Sequence, residues 1–431
     1  MPSTNTDVAA DLPRPRYRIY VLCITLVIYT LSRIDRVLAG ALAPAIKADM
    51  HLTDAQLGFT SSTAFAIFFA GFSIPLGWLA DRNSRKWIIT TSLFLWSAFT
   101  ALFGTAFTFT GLVVTRSGVG LGEAGGGAPT HSLLMDYFPK NQRARVMAVY
   151  GFGVPVGIAM GAALGGWTSA LYGWRTTFFI AGGVGLVLSV IFNLSVREPR
   201  RITEDGLPPN PASLIRSVKT MASKPAFIAL CGGVTSGGIA GASKYFWITS
   251  YLTRSFELSL VEVTTAFGII NFAAGIAGAW VGGYISDRLA IKHGPAAHAW
   301  VMSISFIVTI PMMCGILLAG SPVVAFAFLA AETFFVSFEN GPNVAAVQHL
   351  ATASLRGTAA SMFNVCLITI SMGVGVPLVG ALSDALMARY GTESLRYALL
   401  SLPLFYGIGA AFYARAGKCM RDEKIIAVPM A

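Results

Sequence analysis

Near the N-terminus the chain reads VLCITLVIYTLSRIDRVLAGALAPAI, an apolar run that holds Arg33, Asp35 and Arg36. Farther along, RSGVGLGEAGGGAPT sets Arg116 and Glu123 seven residues apart, on one face of a helix. Both stretches lie in runs long enough to cross a bilayer, at about 20 residues per crossing. With a helical rise of about 1.5 Å per residue, Asp35, Arg36 and Glu123 fall roughly 15 Å below one membrane surface, near the midplane. An isolated charge is costly there, so these groups must pair or become neutral. Arg36 is expected to bridge Asp35 and Glu123 in at least one state. Burial favours a protonated carboxyl group and a nearby guanidinium favours the ionised one, so movement of Arg36 would change proton affinity. Asp35 and Glu123 are therefore the candidates for proton linkage. Arg33 either joins this site or lines an aqueous path to it.

The second half of the chain holds an echo. Lys244 and Glu332 stand in apolar runs at places equivalent to Arg36 and Glu123. Lys244 is suited to an anionic group, and Glu332 to holding Lys244; a purely structural pair is the competing reading. Glu339 follows Glu332 by seven residues and His131 follows Glu123 by eight, each on the same helix face; either is a relay or a cavity lining, and lining is the favoured reading. Phe65, Tyr245, Phe335 and Phe338 are available to meet an apolar group, although nothing in the sequence singles them out. No histidine, cysteine or carboxylate set has metal-ligand spacing. No nucleophile and base pair marks a hydrolase, so no enzyme activity and no cofactor are expected.

The elements that must position these charges follow from composition. Of the 431 residues 55% are hydrophobic and 12% charged, about half the charged fraction of a soluble chain. Twelve apolar runs are long enough to span, near 17–46, 56–80, 87–109, 112–138, 144–170, 174–196, 226–252, 262–286, 297–319, 322–349, 357–386 and 394–415. With the N-terminus inside, only Lys47, Arg175, Arg254, Arg389 and Arg396 fall in outer segments, and most other Lys and Arg fall inside. This bias places both termini in the cytoplasm and accounts for the net charge of +11 without nucleic acid. The polar first 16 residues lack the pattern of a cleaved signal. The five cysteines are scattered and are expected to be reduced packing residues.

The longest loop, 197–224, separates six spans (1–196) from six (225–431). The halves resemble each other: MHLTDAQLGFTSSTAFAIFFAGFSIPLGWLADR aligns without a gap on FELSLVEVTTAFGIINFAAGIAGAWVGGYISDR, Arg82 falling on Arg288. The fold expected is an all-α membrane protein of twelve transmembrane helices in two pseudo-symmetric six-helix lobes. The glycines of GFGVPVGIAMGAALGGW recur every fourth residue, a close-packing stripe with a kink expected at Pro155. Gly120 and Gly127 are expected to pack closely on the Arg116 and Glu123 face. Gly120, Gly122 and Gly125 imitate a dinucleotide-binding fingerprint, but no strand precedes them.

GWLADRNSRK (77–86) resembles the cytoplasmic loop signature of the major facilitator superfamily, with Gly77, Asp81, Arg82, Arg85 and Lys86 in place and Ser84 where a second glycine is usual. Gly283, Asp287 and Arg288 form a partial second copy. In this reading Gly77 lets two helices approach, and Asp81 with the basic residues forms a charge latch between lobes. RIDRVLAG, LADRNSRK, LWSAFT, RSGVGLGEA and YGWRTTFFIAGG together look like the spinster group of that superfamily, most densely over 17–196. The resemblance implies a secondary transporter working by alternating access, proton-linked or facilitative; if proton-linked, Asp35 and Glu123 are the residues expected to carry the linkage. Eukaryotic members export lysophospholipids and phosphorylated sphingoid bases, which implies an amphipathic substrate whose head meets Arg36 and Lys244. The short tails are expected of a bacterial member acting as a monomer in the cell membrane. A small organic-acid symporter or drug exporter is the rival within transport. A receptor or channel, the rival outside it, does not call for the repeat.

Overall fold

The computed structural model describes residues 14–139, 142–198, 211–351 and 355–426, and these contain helices and no strand. Span 1 is Pro15–Ala41 continued by Ala43–Met50, and span 2 is Asp54–Gly58, Phe59–Thr63 and Ala64–Arg82. Span 3 is Arg85–Phe103, and span 4 is Phe109–Ala124 followed by Gly127–Tyr137. Span 5 is Arg143–Gly151 and the first part of Gly153–Ser195, whose second part is span 6. Spans 7, 8 and 9 are Pro225–Phe256, Leu260–His293 and Ala296–Leu318. Span 10 comprises Pro322–Val336, Ser337–Glu339 and Asn340–Leu350. Span 11 comprises Arg356–Asn364, Val365–Ile370 and Ser371–Tyr390, and span 12 Ser394–Leu399 and Leu402–Ile426. A further helix, Pro211–Ala222, lies in the long loop.

Among the described residues, eight helical runs are long and apolar enough to cross a membrane, and two of them each cover a pair of spans. The spans left out are 1 and 4. Span 1 carries Arg33, Asp35 and Arg36, and span 4 carries Arg116 and Glu123 and is interrupted at Gly125–Gly126. The two segments that depart from a plain membrane helix are the two that hold the first half's charges.

Local chemistry sets the ends of the helices. Span 2 begins with a capping box in which Thr53 accepts from the Gln56 N–H and the Gln56 side chain accepts from the Thr53 N–H. Span 8 begins with the same device, built from Ser259 and Glu262. In the aligned halves Thr53 falls on Ser259 and Gln56 on Glu262, so the repeat extends to the caps. Gly173, at φ 82°, turns the chain from span 5 into span 6, a conformation that a side chain would strain. The break in span 5 comes at Phe152. Pro155 stands in the first turn of the following helix, where its missing N–H leaves no bond unmade.

The helices gather in two compact units: described residues of Met1–Ala39 with Ile67–Pro208, and of Gly40–Ala66 with Pro209–Ala431. In the first unit the glycine stripe of span 5 lies on span 1. A Cβ at Gly153, Gly157, Gly161 or Gly165 would press on Tyr29, Arg33, Ile34 or Leu38 in turn. In the second unit Gly278 and Gly282 of span 8 lie against the backbone of Phe334 and Phe338 in span 10. Small residues are what allow membrane helices this close approach, since apolar burial gains little between helices already in lipid.

Candidate functional site

The first unit assembles a four-charge site. The span 5 stripe fixes span 1 from one side, with Gly157 directly beneath Arg33 and the Thr30 carbonyl. Gly118, Gly122 and Gly125 of span 4 lie on Phe99, Trp96 and Ser92 of span 3. The contact face of span 4 is thus made by these glycines, and not by Gly127, which has no described atom within 4 Å of where a Cβ would stand. The difference is rotational: Gly118, Gly122 and Gly125 follow the three- and four-residue rows of a helix surface, and that row faces span 3.

With the spans so placed, two arginines hold the two carboxylates separately. Arg36 grips Glu123 through Nε at 2.7 Å and Nη2 at 2.6 Å, both on Oε2, and the Ser32 hydroxyl adds a weaker donor at 3.3 Å. Arg116 reaches Asp35 Oδ2 at 3.3 Å, and Thr100 of span 3 donates to Asp35 Oδ1 at 3.0 Å. In this structure Arg36 stands on Glu123 and Arg116 on Asp35; the bridge through Arg36 is an expectation for at least one state. Asp35, Arg116 and Glu123 are buried, and the Arg36 side chain is 10% exposed. Both oxygens of Asp35 are engaged. Glu123 Oε1 is buried and has no hydrogen-bond partner among the described residues. Arg33 donates to Ser32 at 3.3 Å and lies over the Tyr29 ring at 4.8 Å, while its Nε has no partner among the described residues. Tyr29 stacks on Tyr150, whose ring meets His131 edge-on. This chain of rings links His131 to the arginine end of the site.

The second unit holds the echo. Lys244 Nζ lies 2.5 Å from Glu332 Oε2, and both side chains are buried. Tyr406 of span 12 donates to Glu332 Oε1 at 3.1 Å, and Thr333 donates to Oε2 at 3.4 Å. Tyr245 is tied to Asn271 at 2.8 Å. Phe335 and Phe338 pack on Phe334, and Phe65 is fully buried.

The loop motif is engaged within the first unit. Arg85 bonds Asp136 at 2.5 Å, Glu198 Oε1 at 3.0 Å and the Ser132 hydroxyl at 3.0 Å. Glu198 also accepts from the Lys86 N–H at 2.7 Å and from Ser84 at 2.8 Å. Ser84, standing where the superfamily has glycine, is thus both the helix cap and a ligand of Glu198. The side chains of Asp81 and Arg82 lie outside the described residues. Gly77 has no described neighbour within 4 Å of a Cβ position, whereas the Cα of Gly283 lies 3.6 Å from where a Cβ on Gly341 would stand. Asp287 is exposed, and Arg288 covers the Tyr284 ring.

Partial burial works to raise the Glu198 carboxyl, but the Lys86 N–H, Ser84 and Arg85 outweigh it and hold it below its ordinary 4.5. A carboxylate lowered on folding stabilises the fold fully above its unfolded value, and that contribution disappears as pH falls through the folded value. Thermal unfolding of Glu198→Gln is therefore expected to show a loss of about 1 kcal/mol at neutral pH. The gap to wild type should close below pH 4.5. A gap that persists in acid would contradict the assignment.

A third charged cluster, in the second unit, was not foreseen. Asp54 is fully buried at the start of span 2. It accepts from Lys47 at 2.5 Å, from Arg254 at 2.9 and 2.8 Å, and from Ser383 at 2.8 Å. Asp384 returns the favour to the backbone, accepting from the N–H groups of Asp54 and Ala55 at 2.9 and 2.8 Å. Gly380 lets the chain come this near, since a Cβ there would run into the Asp54 carbonyl. The available signal was that Lys47 and Arg254 are among the few basic residues assigned to outer segments.

Comparison with known proteins gives this geometry a context. Residues 25–376 match the family model described as Major Facilitator Superfamily. An "MFS-type efflux pump" of Mycolicibacterium smegmatis is 30% identical over 409 residues, covering 91% of each chain. Human "Protein spinster homolog 1" is 28% identical over 429 residues, covering 92% of this chain and 79% of its own. Among solved structures, a bacterial homolog to the human lysosomal transporter Spinster, in an inward-facing and unoccupied conformation, superposes with a TM-score of 0.86. It is 26% identical and the match covers 94% of this chain and 98% of that one.

Proposed function

The chain belongs to the Major Facilitator Superfamily, and on that premise we propose that it is a proton-coupled, spinster-like secondary transporter of an amphipathic substrate with a polar or anionic head. The observation that carries this reading is the Arg36–Glu123 pair, in which the guanidinium occupies one carboxylate oxygen and leaves the other buried and unpartnered. An ionised Glu123 holds Arg36. A proton on Oε1 removes that charge and releases the guanidinium to an anionic group, so the ionised Glu123 carboxylate and the substrate compete for one arginine and protonation favours the substrate. Glu123 is the principal seat of the proton in this scheme, and Asp35, with both oxygens bonded, is the second. Arg33, adjacent and with a free Nε, adds positive charge for a head group. Lys244, neutralised by Glu332 in the second unit, is the further cationic candidate.

The lobes 1–196 and 225–431, joined by 197–224, would move in alternating access with no ATP consumed. Both termini face the cytoplasm, as the distribution of Lys and Arg supports, and the chain works as a monomer in the cell membrane. The similarity to an efflux pump favours a second reading, export of drug-like cations or neutral amphiphiles. Uptake and efflux in proteoliposomes separate the two. Lysophospholipid is expected to move faster than small organic acids or cationic dyes, with flux changed by an imposed pH gradient. Flux of dyes or organic acids alone would overturn the substrate class, and flux indifferent to the gradient would overturn the coupling.

A further inference from the structure

Spans 10 and 12 of the second unit form a ladder with two similar rungs. Glu332 and Glu339 are seven residues apart on span 10, and Tyr406 and Tyr413 are seven apart on span 12. Tyr406 donates to Glu332 at 3.1 Å, and Tyr413 meets Glu339 Oε2 at 3.1 Å. The Phe306 ring packs on both tyrosines, with centroids at 5.3 and 5.2 Å. Gly233 of span 7 lies flat against the Tyr413 ring and fixes its place, since a Cβ there would stand 2.6 Å from it.

The rungs differ in their supply of hydrogens. At the upper rung Glu332 receives an ammonium, a phenol and a hydroxyl, so an ionised carboxylate is fully served. At the lower rung three groups meet in a closed triangle. Tyr413 Oη is 3.1 Å from Glu339 Oε2 and 3.0 Å from Asn343 Oδ1, and Asn343 Nδ2 is 3.2 Å from Glu339 Oε2. Three edges of hydrogen-bond length need three hydrogens. Tyrosine has one, and the amide can direct one into the triangle. An ionised Glu339 has none. Exchanging the amide O and N leaves the count the same, because one edge is then still oxygen against oxygen with no hydrogen between. A neutral Glu339 supplies the missing one: carboxyl to Tyr413, Tyr413 to Asn343, Asn343 to the carboxyl.

We propose that Glu339 is a second proton-binding site, occupied in this structure by a proton on Oε2 directed at Tyr413. Among the described residues no Lys, Arg or His forms an ion pair with it. The ionisable groups that face it are Tyr413 and Tyr406 of span 12; Cys231 of span 7 stands by Tyr413, and Glu332 of its own span, whose charge is matched by Lys244, stands by Tyr406. Toward the end of span 10, His349 stacks on His298 of span 9, with Asp287 of span 8 nearby. Removal of the proton leaves two oxygens facing each other at 3.0–3.1 Å, so proton loss must loosen the contact of spans 10 and 12 at this rung.

The test reads the carboxyl group itself, by pH-difference infrared spectroscopy of the full chain in lipid. A protonated-carboxyl stretch is expected in wild type, absent in Glu339→Gln and shifted in Tyr413→Phe. Glutamine can supply the third hydrogen through its amide, so this variant should fold. If it does not, the Tyr413→Phe shift decides alone. A band unchanged in both variants overturns the proposal. So does a band abolished by sodium chloride at constant pH, which would make the triangle a site for a monovalent metal ion. The band should persist in Glu123→Gln, which keeps this result separate from the fate of the coupling scheme in the first unit.

Discussion

Asp54→Asn is expected to release residues 40–66 from the helices they pack on in the second unit. The wild-type carboxylate is fully buried and collects Lys47, Arg254 and Ser383, while Asp384 bonds the backbone at the same helix start. Removing one partner of a buried pair costs roughly 3–5 kcal/mol, because the other charge is left without compensation. Here the cost falls at the low end, since Lys47 and Arg254 are 24% and 19% exposed and can turn to water. About 3 kcal/mol is a factor of roughly 10² in the ratio of open to closed. Spin labels at Ala48 and Ala388, both exposed, in a background lacking the five native cysteines, report this directly. The variant should gain a longer, broader distance component. A distribution identical to wild type would mean that the close contacts at Gly58 and Gly380 suffice without the charge.

The chemistry of this clasp suits a contact that opens and closes. Apolar surfaces between membrane helices gain little by separating into lipid or rejoining, and they carry no switch. A buried carboxylate held by two cations and a hydroxyl is directional, and its cations can be taken up by water when it parts. Segment 40–66 continues at both ends into residues of the first unit.

Glu123→Gln is the second large effect. Glutamine has the shape of the protonated acid and cannot hold Arg36 as an ion pair. The variant is therefore expected to be fixed in the proton-loaded condition, with Arg36 no longer held by Glu123 and flux no longer responding to pH. A coupling of about 1.4 kcal/mol already corresponds to a tenfold change in proton response. The neighbouring pair gives a contrast. Asp35 is bonded at both oxygens by Arg116 and Thr100, whereas Glu123 keeps one oxygen open. Among the described residues the geometry thus separates a carboxyl bonded at both oxygens from one with an unpartnered oxygen.

Much of the fold could be read from the chain because hydrocarbon makes every charge conspicuous. Arg33, Asp35, Arg36, Glu123, Lys244 and Glu332 stood out as charges in apolar runs, and Lys244 and Glu332 do meet in the structure. Partner choice in the first unit was less legible. It depends on the rotation of span 4, set by Gly118, Gly122 and Gly125 against span 3, and glycine spacing alone does not say which neighbour a stripe faces. Arg116 was visible on the Glu123 face, but its reach to Asp35 needed that rotation. Gly77 and Gly127 show the same limit from the other side: their small size suggested close packing, and no described residue packs on them. The Asp54 cluster was hidden for a different reason. Lys47, Asp54, Arg254 and Asp384 lie near span ends, where charges are ordinary, and only the tertiary fold brings them together. The lower Glu–Tyr rung required distances, because its meaning lies in a count of hydrogens.

In the proposed cycle Arg36 alternates between Glu123 and substrate under control of a proton. Proteoliposomes bearing Glu123→Gln test it most directly, by comparing exchange of labelled lysophospholipid across an unenergised membrane with its accumulation under an imposed pH gradient. Exchange is expected to persist, because the neutral side chain leaves Arg36 available, while accumulation driven by the gradient disappears. Accumulation equal to wild type would contradict the claim and return the Arg36–Glu123 pair to a structural role.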